Sequence, residues 1–301
     1  MRFDIRYTSR FRYEGPVSES QNELRACPVT DHRQQVSHYR VTTSPSARIH
    51  SYTDHFGTRV DTFGIRSPHR SLEVVAEATV ETVPVPVVAA SPRFAELEAP
   101  AFRDAHLQYL ATSRHTDAGG AVVEEARRRA ELAGDDVLGT VLAIHRAVAT
   151  TLSYIPGSTF VGVDVDEVFA NRAGVCQDFA HLAVAMCRAV GIPARYVSGY
   201  LFARDDTAGA EPDEDEIDVV THAWLEAAVP GAGWVGLDPT NRQQVGPRHV
   251  KIGHGRDYDD VAPLRGVYVG PAAHELEVAV HLRRMAHVGH AEVQQQHQQQ
   301  Q

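Results

Sequence analysis

Cys176 stands two residues after a glycine in the run Arg172-Ala173-Gly174-Val175-Cys176-Gln177-Asp178-Phe179-Ala180-His181-Leu182. Gly174 permits a tight turn, and the apolar spacing beyond it puts Cys176 in the first turn of a helix. Free backbone N–H groups and the positive end of the helix dipole favour a thiolate at such a position. The same N–H groups can face the oxyanion that forms when sulfur attacks a carbonyl. The chemistry on offer is nucleophilic acyl transfer.

A thiolate also needs a proton shuttle. Val219-Val220-Thr221-His222-Ala223-Trp224-Leu225-Glu226 reads as a strand carrying a histidine, with Trp224 on the same face. The following strand ends in Trp234-Val235-Gly236-Leu237-Asp238-Pro239-Thr240-Asn241. A carboxylate at the end of a neighbouring strand can accept the ring N–H of His222 and fix its tautomer. Asp238 has a second reading, as the cap of a turn before Pro239. Tyr154 and Gln177 are the candidate side-chain oxyanion donors. Asp178 either favours the helix N-terminus or positions the site loop. Trp224 is either core or a wall beside the thiolate.

The elements that must position these residues follow from periodicity. Over residues 1–85, Phe3, Ile5, Tyr7, Phe11 and Tyr13 alternate with polar residues, and further short strands fit 36–42, 49–52, 59–65 and 72–83, between turn-forming residues. Short strands with frequent turns indicate an antiparallel β-sandwich. Alternating prolines at 84 and 86 break both ladder and helix, which makes 86–99 the linker. Beyond it, Val137, Leu138, Val141, Leu142, Ile144, Val148 and Leu152 form a helical stripe, with Asp135 or Asp136 as N-cap. A second helix spans 176–190 and is stopped by Gly191 and Pro193. Strands are expected at 194–202, 219–229 and 234–237, and a last one alternates through Leu276, Val278, Val280 and Leu282. The core is thus assigned to 100–285, C-terminal strand included, and the glutamine-rich 286–301 is expected to be disordered.

Gly174-Val-Cys176-Gln-Asp178-Phe-Ala-His181 followed by Gly191-Ile-Pro-Ala-Arg195-Tyr-Val-Ser-Gly199-Tyr200 resembles the nucleophile region of bacterial transglutaminase-like proteins. His222-Ala-Trp224 and Asp238-Pro-Thr240-Asn241 resemble that superfamily's histidine and aspartate motifs, in the right order. Asn22-Glu-Leu-Arg25 and Asp54-His-Phe-Gly57 resemble its accessory region, and Gly255-Arg256-Asp257-Tyr258-Asp259-Asp260-Val261 its post-aspartate loop. The resemblance implies an α+β, papain-like (transglutaminase-like) cysteine enzyme core behind a β-sandwich. It further implies acyl transfer through a thioester, ending in hydrolysis of a peptide, isopeptide or other amide bond, or in protein-glutamine transamidation. A third reading keeps the fold as a non-catalytic protein-binding module. Arg256 and Asp257 either line the substrate cleft or pair with each other at the surface.

Composition narrows the remaining classes. The formal charge of -10 comes mostly from eight acids between Asp205 and Asp218, expected as a surface loop, and the rest is near neutral. Nothing there points to nucleic acid. No apolar run approaches a bilayer span, so no membrane is expected. The charged start, Met1-Arg2-Phe3-Asp4, has no secretory pattern, and three cysteines suit a reducing cytoplasm. Cys27 and Cys187 read as small buried hydrophobes. Cys187 is about 16 Å from Cys176 by helical rise, too far for a disulfide. Cys176, Asp178 and His181 do not have zinc-pair spacing, so neither metal nor cofactor is expected. The expected partner is a protein or peptide substrate.

Overall fold

The computed structural model describes residues 1–84, 92–159, 162–203, 216–270 and 274–285. The strand Arg2–Leu24 organises the N-terminal part. Its alternating apolar residues bury Phe3, Ile5 and Tyr7 on one face. Residues 2–13 lie antiparallel between the strands His69–Thr82 and His274–Met285. The pairing to His69–Thr82 then slips between Arg12 and Val17, where Pro16 offers no N–H, and Glu19 adopts φ 51°. Past that bend, residues 18–24 pair instead with Arg59–Ile65 and Leu264–Val269. One chain segment therefore serves both halves of a curled antiparallel sheet, with Gln34–Ser44, His50–Thr53 and Glu216–Val219 at its edges.

The C-terminal strand corrects the expected domain division. His274–Met285 pairs along its length with Arg2–Tyr13, so it belongs to the N-terminal sheet and not to the core. The cause is its own alternation, which buries Val280 and Leu282 beside Phe3 and Ile5. The expected strand 219–229 likewise divides. Glu216–Val219 pairs with the C-terminal strand, whereas His222–Val229 pairs with Ala194–Leu201 in the core. Of the expected linker, 86–91 falls outside the described residues, while Phe94–Leu97 is a helical turn. Most of the acidic segment, 205–215, and the tail 286–301 also lie outside the described residues.

The core sheet runs in the order 243–244, 233–238, 222–229, 194–201, 249–255, all antiparallel. The helix Val137–Thr151 begins at Asp136, whose carboxylate accepts from the Gly139 N–H at 3.0 Å. It packs with the helix Cys176–Ala189 on one face of the sheet, around Ile144, Phe179, Leu182 and Leu225. Gly191, at φ 80°, follows the second helix in the left-handed conformation that closes such ends. Tyr200, Phe202, Val250 and Ile252 reach from the core sheet into the core of the N-terminal sheet, so the two parts share an apolar interface.

Candidate active site

The helix Cys176–Ala189 starts at Cys176 because Asp178 turns back on it. Its Oδ2 accepts from the Val175 N–H at 2.7 Å and from Thr159 Oγ1 at 2.5 Å. This occupies an N–H that has no partner inside the helix. The fold-back requires Gly174: a Cβ there would stand 2.8 Å from both Cβ and Oδ2 of Asp178. Gly174 is thus needed for close approach, and the left-handed residue of the turn is Arg172, at φ 52°. Burial pushes the Asp178 carboxyl pKa up, against the pull of Thr159 and Val175. A side-chain hydrogen bond from Gln177 pulls the Asp178 pKa in the same downward direction.

Cys176 is half-buried and free, with Sγ 3.9 Å from the Thr221 carbonyl. His222 begins the core strand at the point where the chain crosses between the two sheets. Its Nε2 lies 2.8 Å from Asp238 Oδ2 and 3.3 Å from Asn241 Nδ2, and the Cys176 thiol also acts on the ring. A carboxylate only accepts, so Nε2 carries the proton and Nδ1 is left for the thiol. Burial works against the imidazolium, but the Asp238 hydrogen bond and the Cys176 contact outweigh it and raise the ring pKa to about 9. The structure therefore brings Cys176, His222 and Asp238 together as the sequence order suggests.

Asp238 is fully buried and heavily bonded. Oδ2 receives His222, His249 Nε2 at 3.1 Å and Asn241 Nδ2 at 2.8 Å, and Oδ1 receives the Asn241 N–H at 3.1 Å. Burial raises its pKa, yet these donors hold the carboxyl far below the usual carboxylate range. Its backbone carbonyl bonds His145 Nε2 at 3.1 Å. The turn after Leu237 does use Asp238 as a cap, so both readings of this residue describe the same carboxylate.

Three of these partners were not among the candidates. Asn241 had a local signal, since Asp-Pro-Thr-Asn is a turn whose fourth N–H can return to the aspartate. His145 and His249 had none. His249 comes from the strand His249–Gly255, which reaches the site only because it pairs with the far side of Ala194–Leu201.

A cleft of about 790 Å³ opens over the thiol, lined by Tyr154, Cys176, His222, Thr240 and Asn241. Leu201, Val219, Val220 and Val278 add an apolar wall, much of it from the N-terminal sheet. Tyr154 is half exposed there, and burial with the nearby thiol raises its phenol pKa, so its hydroxyl keeps a proton to donate. Trp224 is fully buried and does not line this cleft. Its ring lies over Gly199, where a Cβ would meet Cη2 at 2.5 Å, and edge-on to His249 at 5.3 Å. It is packing behind the histidine rather than a wall beside the sulfur.

Arg256 and Asp257 depart from both of their expected roles, for neither lines the cleft nor pairs with the other. Arg256 bonds Asp260 at 2.9 and 3.0 Å. Asp257 is buried and caps the turn at Tyr258–Val261 through the Asp259 N–H at 2.9 Å. Cys176, Asp178 and His181 do not converge either: His181 is stacked on His115 and Tyr196 and accepts from the Tyr258 N–H. Two other groups, His222/Asp238/His249 and His115/Asp257/Asp259, bring ligand-type atoms within 4.8 Å. In the first, the atoms are hydrogen-bonded to one another.

Residues 126–239 match the model of the transglutaminase-like superfamily, and residues 3–81 that of the bacterial transglutaminase-like N-terminal region. An uncharacterized protein of Mycobacterium leprae is 35% identical over 285 residues, covering 95% of this chain and 99% of its own. A protein-glutamine gamma-glutamyltransferase of Pseudomonas aeruginosa is 38% identical over 109 residues, 36% of this chain and 15% of its own. The crystal structure of a candidate cysteine protease from Cytophaga hutchinsonii superposes with a TM-score of 0.69 at 25% identity, covering 93% of this chain and 90% of that one. The chain belongs to the transglutaminase-like superfamily, with the bacterial N-terminal region ahead of a papain-like core.

Proposed function

We propose that the protein is a thiol hydrolase of amide bonds in protein or peptide substrates, acting through a Cys176 thioester. The observation that carries this reading is a histidine between a buried carboxylate and a thiol: Asp238 lies 2.8 Å from Nε2, and His222 and Cys176 line one open cleft. Cys176 Sγ attacks the carbonyl carbon, and the developing oxyanion faces the N-terminal N–H groups of the helix and the Tyr154 hydroxyl. Collapse breaks the C–N bond, and the His222 imidazolium gives its proton to the departing amine. Neutral His222 then takes a proton from water, which attacks the thioester and releases the acid and the thiol. Asp238 stays ionised throughout and stabilises the imidazolium.

Transamidation differs only in the acceptor, an amine in place of water. Similarity to the P. aeruginosa gamma-glutamyltransferase over 109 residues supports that reading. Similarity to the Cytophaga protein across most of the chain favours hydrolysis. The test is intact-mass trapping with a thiol-acylating probe, using wild type and Cys176→Ala, followed by chase with water alone or with a primary amine. The proposal expects a single adduct in wild type, none in the variant, and release that is indifferent to the amine. An adduct that persists in Cys176→Ala would overturn it, and amine-dependent release would shift it to transamidation.

A further inference from the structure

Resting on the proposed thiol chemistry, we infer that His249 is a positioning residue of this site, holding Asp238 in the orientation that serves His222. The terminal torsion of an aspartate is soft, so its own rotamer preference does not decide which oxygen faces the imidazole. At Asp238 that choice is made by donors from separate elements. His222 comes from the neighbouring strand, Asn241 from the turn that follows Asp238 itself, and His249 from the strand on the other side of Ala194–Leu201. All three meet at Oδ2, at 2.8, 2.8 and 3.1 Å.

The tautomer of His249 is fixed as well. Its Nδ1 accepts from the Gly246 N–H at 3.2 Å, which leaves the proton on Nε2, directed at Asp238. Trp224 packs edge-on against the ring at 5.3 Å and limits its tilt. The groups facing His249 are Asp238, His222 and the neighbouring Arg248, with Arg33, Lys251 and Asp31 around the small cavity on its other side. Burial, with His222 and Arg248, outweighs Asp238 and lowers the His249 pKa, so the ring donates as a neutral group. A neutral donor orients the carboxylate while leaving its charge to His222. A cation in that place would compete with the imidazolium for it.

The two bonds of His249 can be separated by two variants. In His249→Gln the side-chain amide N–H₂ reaches about where Nε2 stood and can still serve Asp238, but the Gly246 contact is lost. In His249→Asn the shorter amide can accept from Gly246 but stops short of Asp238. A positioning role and a purely structural role therefore predict opposite orders.

The probes are p-nitrophenyl acetate and iodoacetamide, with thermal melting alongside. With the ester, the Cys176 thiolate takes the acetyl group and p-nitrophenolate leaves; water then converts the thioester to acetate and regenerates the thiol. His249→Gln is expected within about threefold of wild type and His249→Asn about tenfold or more below it. The pH dependence of Cys176 alkylation, which reads the Cys176–His222 pair without any turnover, should overlay wild type for glutamine and shift for asparagine. Equal losses in both variants that track melting temperature, or asparagine outperforming glutamine, would overturn the positioning role while leaving the thiol chemistry intact. Failure of wild-type Cys176 to react faster than Cys27 and Cys187 would instead sink both.

Discussion

Two carboxylates are completely buried on neighbouring strands of the core sheet, and they are used in opposite ways. Glu226 is met by full charges: Lys251 Nζ at 2.6 Å, Arg195 Nε and Nη2 at 2.7 and 2.6 Å, and Arg33 Nη2 at 2.7 Å. Asp238 is met by two imidazoles and an amide. Burial raises the pKa of both carboxyls, and in both the partners reverse this and hold the group ionised. The difference lies in what the partners can do next. Guanidinium groups keep their charge at any working pH, and the Glu226 cluster ties Arg33 of the N-terminal part to three core strands, those carrying Glu226, Arg195 and Lys251. An imidazole can gain or lose its proton, and His222 also faces a thiol and a cleft. The same degree of burial yields a clamp in one place and, on the proposed chemistry, a proton shuttle in the other.

Removing the shuttle should have the largest consequence. His222→Ala is expected to lower acylation of a thiol-acylating probe about a thousandfold or more with the fold retained, read by stopped-flow and circular dichroism. Comparable rates in the two proteins would detach His222 from the chemistry.

The clamp should answer in stability instead. Glu226→Gln leaves three cations around a neutral amide, and a loss of about 3–5 kcal/mol is expected in urea unfolding, with the acylation rate per folded molecule unchanged. A melting curve like wild type would mean that water or rearrangement satisfies these cations.

Asp238 lies between these extremes because it both orients and caps. Asp238→Asn should reduce acylation on the order of a hundredfold, since the amide can present N–H₂ to the ring and favour the wrong tautomer. Asp238→Ala should match or exceed that loss and also lower the melting temperature, because the Asn241 turn loses its acceptor. Full activity in a folded alanine variant would reduce the site to a Cys176–His222 dyad.

The smallest effect is on the pH dependence of stability. The His222 pKa is raised to about 9 in the folded chain, against an ordinary 6.5. Its contribution is therefore complete below about 6.5 and is lost as pH rises towards 9. Melting scans across that window should decline for wild type and flatten for His222→Ala; equal slopes would show that the ring is not held as an imidazolium.

The contrast between the two carboxylates also explains what the sequence disclosed. Cys176, His222 and Asp238 were legible because each sits at a strand or helix terminus with its own local signal: a glycine turn, an alternating strand, an Asp-Pro turn. The period-two pattern of the C-terminal strand was equally clear, but alternation does not say which sheet receives a strand, and this one crosses back to Arg2–Tyr13. His249 and the Glu226 cluster were hidden for a related reason. Glu226 and Arg33 are 193 residues apart and Asp238 and His249 are 11, and nothing local to either pair announces the contact. Buried polar groups take partners wherever topology brings them, and periodicity records only which face is apolar.

The most direct test of the central claim is competitive labelling of the three thiols. Burial pushes the Cys27 and Cys187 pKa values up to about 11 and about 12, while Cys176 lies in the cleft beside His222. Brief treatment with iodoacetamide at pH 6, followed by peptide mapping, should modify Cys176 almost alone. The same treatment of His222→Ala should leave that selectivity largely lost. Equal labelling of all three cysteines in the wild-type protein, or a Cys176 rate that ignores the loss of His222, would contradict the assignment of a histidine-activated thiol.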